Sequence, residues 1–220
     1  MRLFSYKLTH DTGFAPNPFY GVLTLATCKP GIRLTKMVGD WLAGFSSSAL
    51  HHNAKPYGVD IDPDALIYLA RVSEVIPLNR YFEDRRFKAK IPPRIQAKDS
   101  IACSGDNIYK PLWIKEDGAY EYEQVSQIHH DDAHMATDLS GKNALVCDEF
   151  YYLGREGVLI PVLGGISRPK GPTQYGYKTE DDTAILNFVR WIKSEFKTGI
   201  NGMPCMLKAE SQKGHGSNCS

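Results

Sequence analysis

Cys28, Lys29 and Arg33 place a thiol, an ammonium and a guanidinium close together in the stretch Leu23-Thr24-Leu25-Ala26-Thr27-Cys28-Lys29-Pro30-Gly31-Ile32-Arg33. The apolar and β-branched first half reads as a strand ending at the thiol, and Pro30-Gly31 reads as a turn. Both cations then project from one end of a sheet. Arg33 offers a bidentate fork, Lys29 a point charge, and the turn its backbone N–H groups. That set suits a phosphate-bearing ligand. Cys28, beside two cations, is a candidate nucleophile; the competing reading is a cysteine that closes an apolar strand as a small buried hydrophobe.

Two Gly-Asp segments add carboxylates. In Gly39-Asp40-Trp41-Leu42-Ala43-Gly44, Asp40 is a candidate acid/base group, and Gly44 leaves room for a ligand to approach Trp41. In Cys103-Ser104-Gly105-Asp106-Asn107-Ile108-Tyr109, Asp106 is a second candidate acid/base group, and Asn107 and Tyr109 are candidate ligand contacts. The plainer alternative is a turn in which Asp106 and Asn107 bond their own backbone. Trp41, Tyr57, Trp113, Tyr151 and Tyr152 have the flat faces on which a base stacks, and they serve equally as core or rim residues. Tyr151 and Tyr152 are adjacent in a strand and face opposite ways, so at most one lines a given pocket. Trp41 and Tyr152 are the stacking candidates.

The segment His129-His130-Asp131-Asp132-Ala133-His134 concentrates imidazoles and carboxylates. On a helix, His130 and His134 share a face and could hold a divalent metal, although the segment lacks the His-Glu-x-x-His form. His51-His52 reads as a solvated pair. Neither Gly-x-x-x-x-Gly-Lys nor Gly-x-Gly-x-x-Gly occurs, which disfavours a P-loop enzyme and a Rossmann dehydrogenase. No cofactor is named by these residues.

The elements that must position these groups are built from 220 residues, 42% of them hydrophobic, enough for one substantial core. With 26 basic and 25 acidic residues there is no overall basic field, so any nucleic-acid contact is a local patch. No apolar run approaches the roughly 18 residues of a membrane span, and Lys7, His10 and Asp11 break any leader pattern at the N-terminus; the expectation is a cytoplasmic protein with no membrane partner. Five widely spaced cysteines without a Cys-x-x-Cys pair read as free thiols.

Strands are expected over residues 2–8, 21–28, 39–45, most of 65–75, 112–114, 144–147, 150–154 and 158–161. Residues 9–19 read as an ordered loop, residues 46–56 as a flexible polar loop, and residues 115–141 as a polar loop with chemistry in it. A short helix is expected over residues 79–87. A long one spans residues 181–196, where Ile185, Phe188, Val189, Ile192 and Phe196 form an apolar stripe and Thr179 can cap the start. The expected fold is α+β: a bent, mostly antiparallel sheet or partly closed β-barrel with short helices and the C-terminal amphipathic helix. A three-layer α/β domain is the alternative. Residues 1–200 form a single domain in this reading, and residues 201–220 a flexible tail.

Asn17-Pro18-Phe19, residues 23–33 and 39–44, Tyr81-Phe82-Glu83-Asp84-Arg85-Arg86-Phe87, and residues 105–109 and 150–154 together resemble the nucleotide modification associated domain 2 family, over about residues 1–165. The resemblance implies a setting among phage and bacterial systems that install or handle modified DNA bases, without assigning a reaction. The order of strand, turn, Gly-Asp and aromatic segments is also similar in character to the PUA-like barrels, which hold a base or nucleotide; that is analogy of fold alone. The expected function is recognition or processing of a modified nucleobase or nucleotide. Its alternatives are a metal-dependent enzyme acting on such a substrate and a phage–host protein-interaction module.

Overall fold

The computed structural model describes residues 1–129, 132–161, 166 and 177–207. The chain enters through β1 (Leu3–Leu8), β2 (Leu23–Leu25), α1 (Pro30–Thr35), β3 (Trp41–Ser46) and α2 (Ser48–Ala54). It continues through β4 (Leu66–Arg71), β5 (Glu74–Pro77), α3 (Leu78–Glu83), α4 (Ser100–Cys103) and the hairpin β6 (Tyr109–Ile114) with β7 (Tyr120–Gln124). Then come α5 (Asp132–Leu139), β8 (Asn143–Cys147), β9 (Glu149–Tyr152), β10 (Tyr177–Thr179), α6 (Asp182–Glu195) and β11 (Gly199–Ile200).

A six-stranded sheet runs β10-β1-β3-β4-β9-β11, and a three-stranded sheet runs β2-β8-β5. Most pairs are antiparallel; β1 with β3 and β9 with β11 are parallel. The α+β class therefore holds. The barrel does not: β10 and β11 remain separate edges, and no sheet closes on itself among the described residues.

Burial explains the layers. On one face of the large sheet, Leu3, Trp41, Ala43, Phe45, Leu69 and Tyr151 pack against Ile185, Phe188, Val189 and Ile192 of α6. On the other face, Tyr6, Leu8, Leu42, Tyr68, Phe150 and Tyr152 meet Leu23, Leu25, Leu145 and Cys147 of the small sheet. Beyond that sheet, Ala144 and Val146 pack with Leu78, Tyr81 and Phe87. With both faces covered, every residue of β4 from Leu66 to Ala70 is sealed from solvent, which is why that run is continuously apolar.

Several local expectations change. Pro30-Gly31 opens α1 instead of a turn, with Pro30 in the first helical turn where a missing N–H costs nothing. The supposed flexible loop at residues 46–56 contains α2, whose Leu50 N–H is accepted by the Ser47 hydroxyl at 3.1 Å. The polar stretch 115–141 contains β7 and α5. Thr179 lies in β10, and Asp181 caps α6 by accepting from the Thr183 and Ala184 N–H groups. Residues 158–161 form no named strand; Val158 makes one bridge to Leu66. Residues 201–207, assigned to the tail, are tied to the body: Asn201 N–H bonds Tyr152 O, Cys205 N–H bonds Asp11 Oδ2, and Cys205 is fully buried. The remaining tail, residues 208–220, lies outside the described residues.

Candidate functional site

Where β1 ends, the chain turns outward through Thr9, His10 and Thr12, and the end of β2 brings Cys28 and Lys29 alongside. His129, which precedes α5, and His134 within it close the third side. The result is a cleft of about 420 Å³ whose apolar walls are Leu8, Phe14 and Ala15. Phe14 stacks on His129 with ring centroids 4.6 Å apart.

The Cys28–Lys29 corner is shaped from behind. Cys28 and Lys29 have φ of 53° and 41°, two successive non-glycine residues in the left-handed region. A buried polar cluster holds them there. Cys28 N–H donates to Asp138 Oδ1 at 2.7 Å, and the Tyr109 hydroxyl donates to Asp138 Oδ2 at 2.7 Å. Arg33 Nε donates to Cys28 O at 2.7 Å, Nη1 to Asn143 O at 2.9 Å and Nη2 to Asp138 O. Gly141 makes space for this guanidinium, because a Cβ there would lie 2.6 Å from Arg33 Cζ.

Arg33 therefore has no exposed surface and no fork to offer a phosphate. Lys29 does face the cleft. Its ammonium lies 5.0 Å from the centre of the Tyr6 ring, a cation–π contact, and burial pulls its pKa below the ordinary lysine value.

The other sequence candidates sit elsewhere. Asp40 is paired with Arg2 through bonds of 2.8 and 2.6 Å and accepts the Met37 N–H, at the opposite end of β1 and β3 from the cleft. Asp106 is buried, accepting from the Thr24 hydroxyl at 2.8 Å, the Tyr81 hydroxyl at 2.7 Å and the Ala26 N–H at 3.2 Å. Burial raises its pKa, and the charge of nearby Lys90 opposes that shift. Asn107 is also buried and donates to Tyr81 O and Phe87 O. Trp41 packs beneath α6, and the space above Gly44 is filled by the Tyr68 ring, 2.2 Å from where a Cβ would stand. Tyr152 faces the interior, where its hydroxyl donates to Asp11. His134 is exposed at the cleft, while His130 and Asp131 lie outside the described residues.

Of the sequence candidates, then, the cleft gathers Cys28, Lys29 and His134. Thr9, His10, Thr12 and Phe14 were not among them. They belong to the segment expected as an ordered loop, and only the course of the chain past Cys28 makes that loop a cleft wall.

Together these features define a mixed α+β domain of stacked open sheets with a polar cleft at one end of β1. Residues 1–211 match the family model described as nucleotide modification associated domain 2, and the chain belongs to that family. No curated protein and no solved structure matches it. Among the described residues, no helix is long and apolar enough to cross a membrane, and no group of three or more His, Cys, Asp or Glu is placed to hold a metal ion.

Proposed function

We propose that the cleft beside Lys29 receives the phosphate of a nucleotide or of a modified nucleobase unit, and that the protein recognises or processes that unit in a phage or bacterial DNA-modification setting in the cytoplasm. The observation that carries this reading is the half-buried Lys29 ammonium in a cleft of about 420 Å³, in a chain whose family is associated with nucleotide modification. A cation in partly desolvated surroundings attracts an anion more strongly than one in bulk water. Threonine hydroxyls and imidazoles around it supply further polar contacts, and a cleft of this volume accommodates a small ligand.

A processing role draws on Cys28, which lines the same cleft in left-handed backbone. Such conformations concentrate at functional sites because the surroundings must hold them in place. Asp40 and Asp106 contribute no acid/base group to this version, since each carboxylate is engaged within the protein away from the cleft.

Titration of deoxynucleoside 5′-monophosphates against wild type and Lys29→Ala tests the binding. Loss of a hydrogen bond to a charged group predicts weakening by about 1.5–3 kcal/mol. Affinity for a short single strand should fall as salt rises, less steeply in the variant. Superimposable curves for the two proteins would remove Lys29 from the site.

A further inference from the structure

A second cleft, of about 220 Å³, adjoins the first, and Thr12 and His129 line both. The chemistry of the two differs. The larger contains Lys29 and the imidazoles of His10 and His134. Among the described residues the smaller has no Asp, Glu, Lys or Arg in its lining; it offers the phenol of Tyr57, the amide of Gln96 and the hydroxyl-bearing Ser100, with Met206 and Leu207 as an apolar wall.

Each of these groups has a defined origin. Tyr57 ends a short 3-10 helix, Lys55–Tyr57, that follows α2 and is closed by Gly58 with φ of 73°. Met206 is fixed by its N–H bond to Asp11 O at 2.8 Å, so the segment after β11 is a wall of this cleft. Gln96 is exposed, and its amide makes one long bond of 3.4 Å to Ala97 O.

We infer that the joined clefts form one two-part nucleotide site, with the base stacked on Tyr57 and read by Gln96 in the smaller part and the phosphate beside Lys29 in the larger. Thr12 and His129 border the ligand at the junction. This inference rests on the nucleotide reading of the larger cleft and adds where the base goes. A recess that presents the Tyr57 ring and a few groups that both donate and accept suits a heterocycle with a hydrogen-bonding edge. Among the described residues the smaller recess holds no lysine or arginine for a phosphate, whereas the larger part has Lys29. Tyr57 is one of the five aromatics whose flat faces suit stacking, and although the sequence favours Trp41 and Tyr152 for that role, among the five it is Tyr57 that lines either cleft.

The test uses the full chain with three probes: inorganic phosphate, the four deoxynucleosides and their 5′-monophosphates. Tyr57→Ala should weaken binding of nucleosides and nucleotides by about 5- to 100-fold and leave phosphate binding unchanged. Gln96→Leu should flatten the preference among the four bases. Lys29→Ala should weaken phosphate and nucleotides and spare the nucleosides. If Lys29→Ala weakens nucleotides while Tyr57→Ala and Gln96→Leu change nothing, the two-part site is overturned and the phosphate reading of Lys29 survives. Equal weakening of phosphate by Tyr57→Ala, in a protein with wild-type circular dichroism, also overturns it. Failure of folded wild type to bind any nucleotide overturns both readings.

Discussion

Arg33 reads in sequence as a phosphate ligand because its partners there are a turn and a neighbouring lysine. In three dimensions it donates to backbone carbonyls of Cys28, Asp138 and Asn143, with the Asp138 carboxylate 3.8 Å away. Its charge is thus used to fix the Cys28–Lys29 corner. Truncating it leaves those acceptors buried without a donor, so Arg33→Ala should cost about 3–5 kcal/mol, and Arg33→Lys should restore little because an ammonium cannot reproduce the planar fork. Gly141→Ala, which intrudes on the same guanidinium, should also destabilise. Urea unfolding measures all three. Wild-type stability in Arg33→Ala combined with lost nucleotide binding would return Arg33 to the ligand site.

Elements differ in how much of their cause is local. The α6 stripe of Ile185, Phe188, Val189 and Ile192 repeats at helical spacing and is buried as expected, so that helix was legible from sequence. Its cap was misplaced by two residues because Thr179 and Asp181 are both good capping types, and the β1–β10 pairing decides between them. Asp181→Ala should lower stability by about 0.5–2 kcal/mol, which thermal melts of the variant against wild type measure. The short polar α2 has no such stripe. It has a local cap in Ser47, and the fold around it supplies the rest, the burial of Leu50 and Ala54 and the 2.7 Å contact of His51 Nδ1 with Ile61 O. The cleft follows the same rule. Cys28 and Lys29 stood out as residue types, but Thr9, His10 and Phe14 gain their place from a loop meeting residues more than a hundred positions away.

At the scale of the molecule, Lys90 joins parts of the chain that the sheets alone do not connect. Its fully buried ammonium donates to Asn17 O, Asn17 Oδ1 and Val22 O, close to Asp106, which in turn binds Thr24, Ala26 and Tyr81. Burial lowers the Lys90 pKa from 10.5 to about 8, with the charge of Asp106 acting the other way. Below pH about 8, folded and unfolded chains both hold this proton, and the folded state bears the full desolvation penalty. Between about 8 and 10.5 the unfolded chain holds more protons, so this group's contribution to stability rises with pH, by up to about 1.4 kcal/mol per pH unit. Near pH 10 the buried phenols of Tyr68, Tyr81 and Tyr152 start to act in the opposite direction, because their pKa values are raised and the unfolded chain ionises first. The buried thiols of Cys147 and Cys205, whose pKa values burial also raises, act in that same opposite direction from near pH 9. The contribution of Lys90 is therefore read as a difference between variant and wild type, in which the shared groups cancel, across a window from pH 8 to about 10. Lys90→Met should be less stable at every pH in it, since three acceptors lose their donor, and the gap to wild type should widen as pH rises. Chemical denaturation at intervals across the window measures that gap, and parallel profiles would mean that Lys90 keeps its ordinary affinity for the proton in the folded protein.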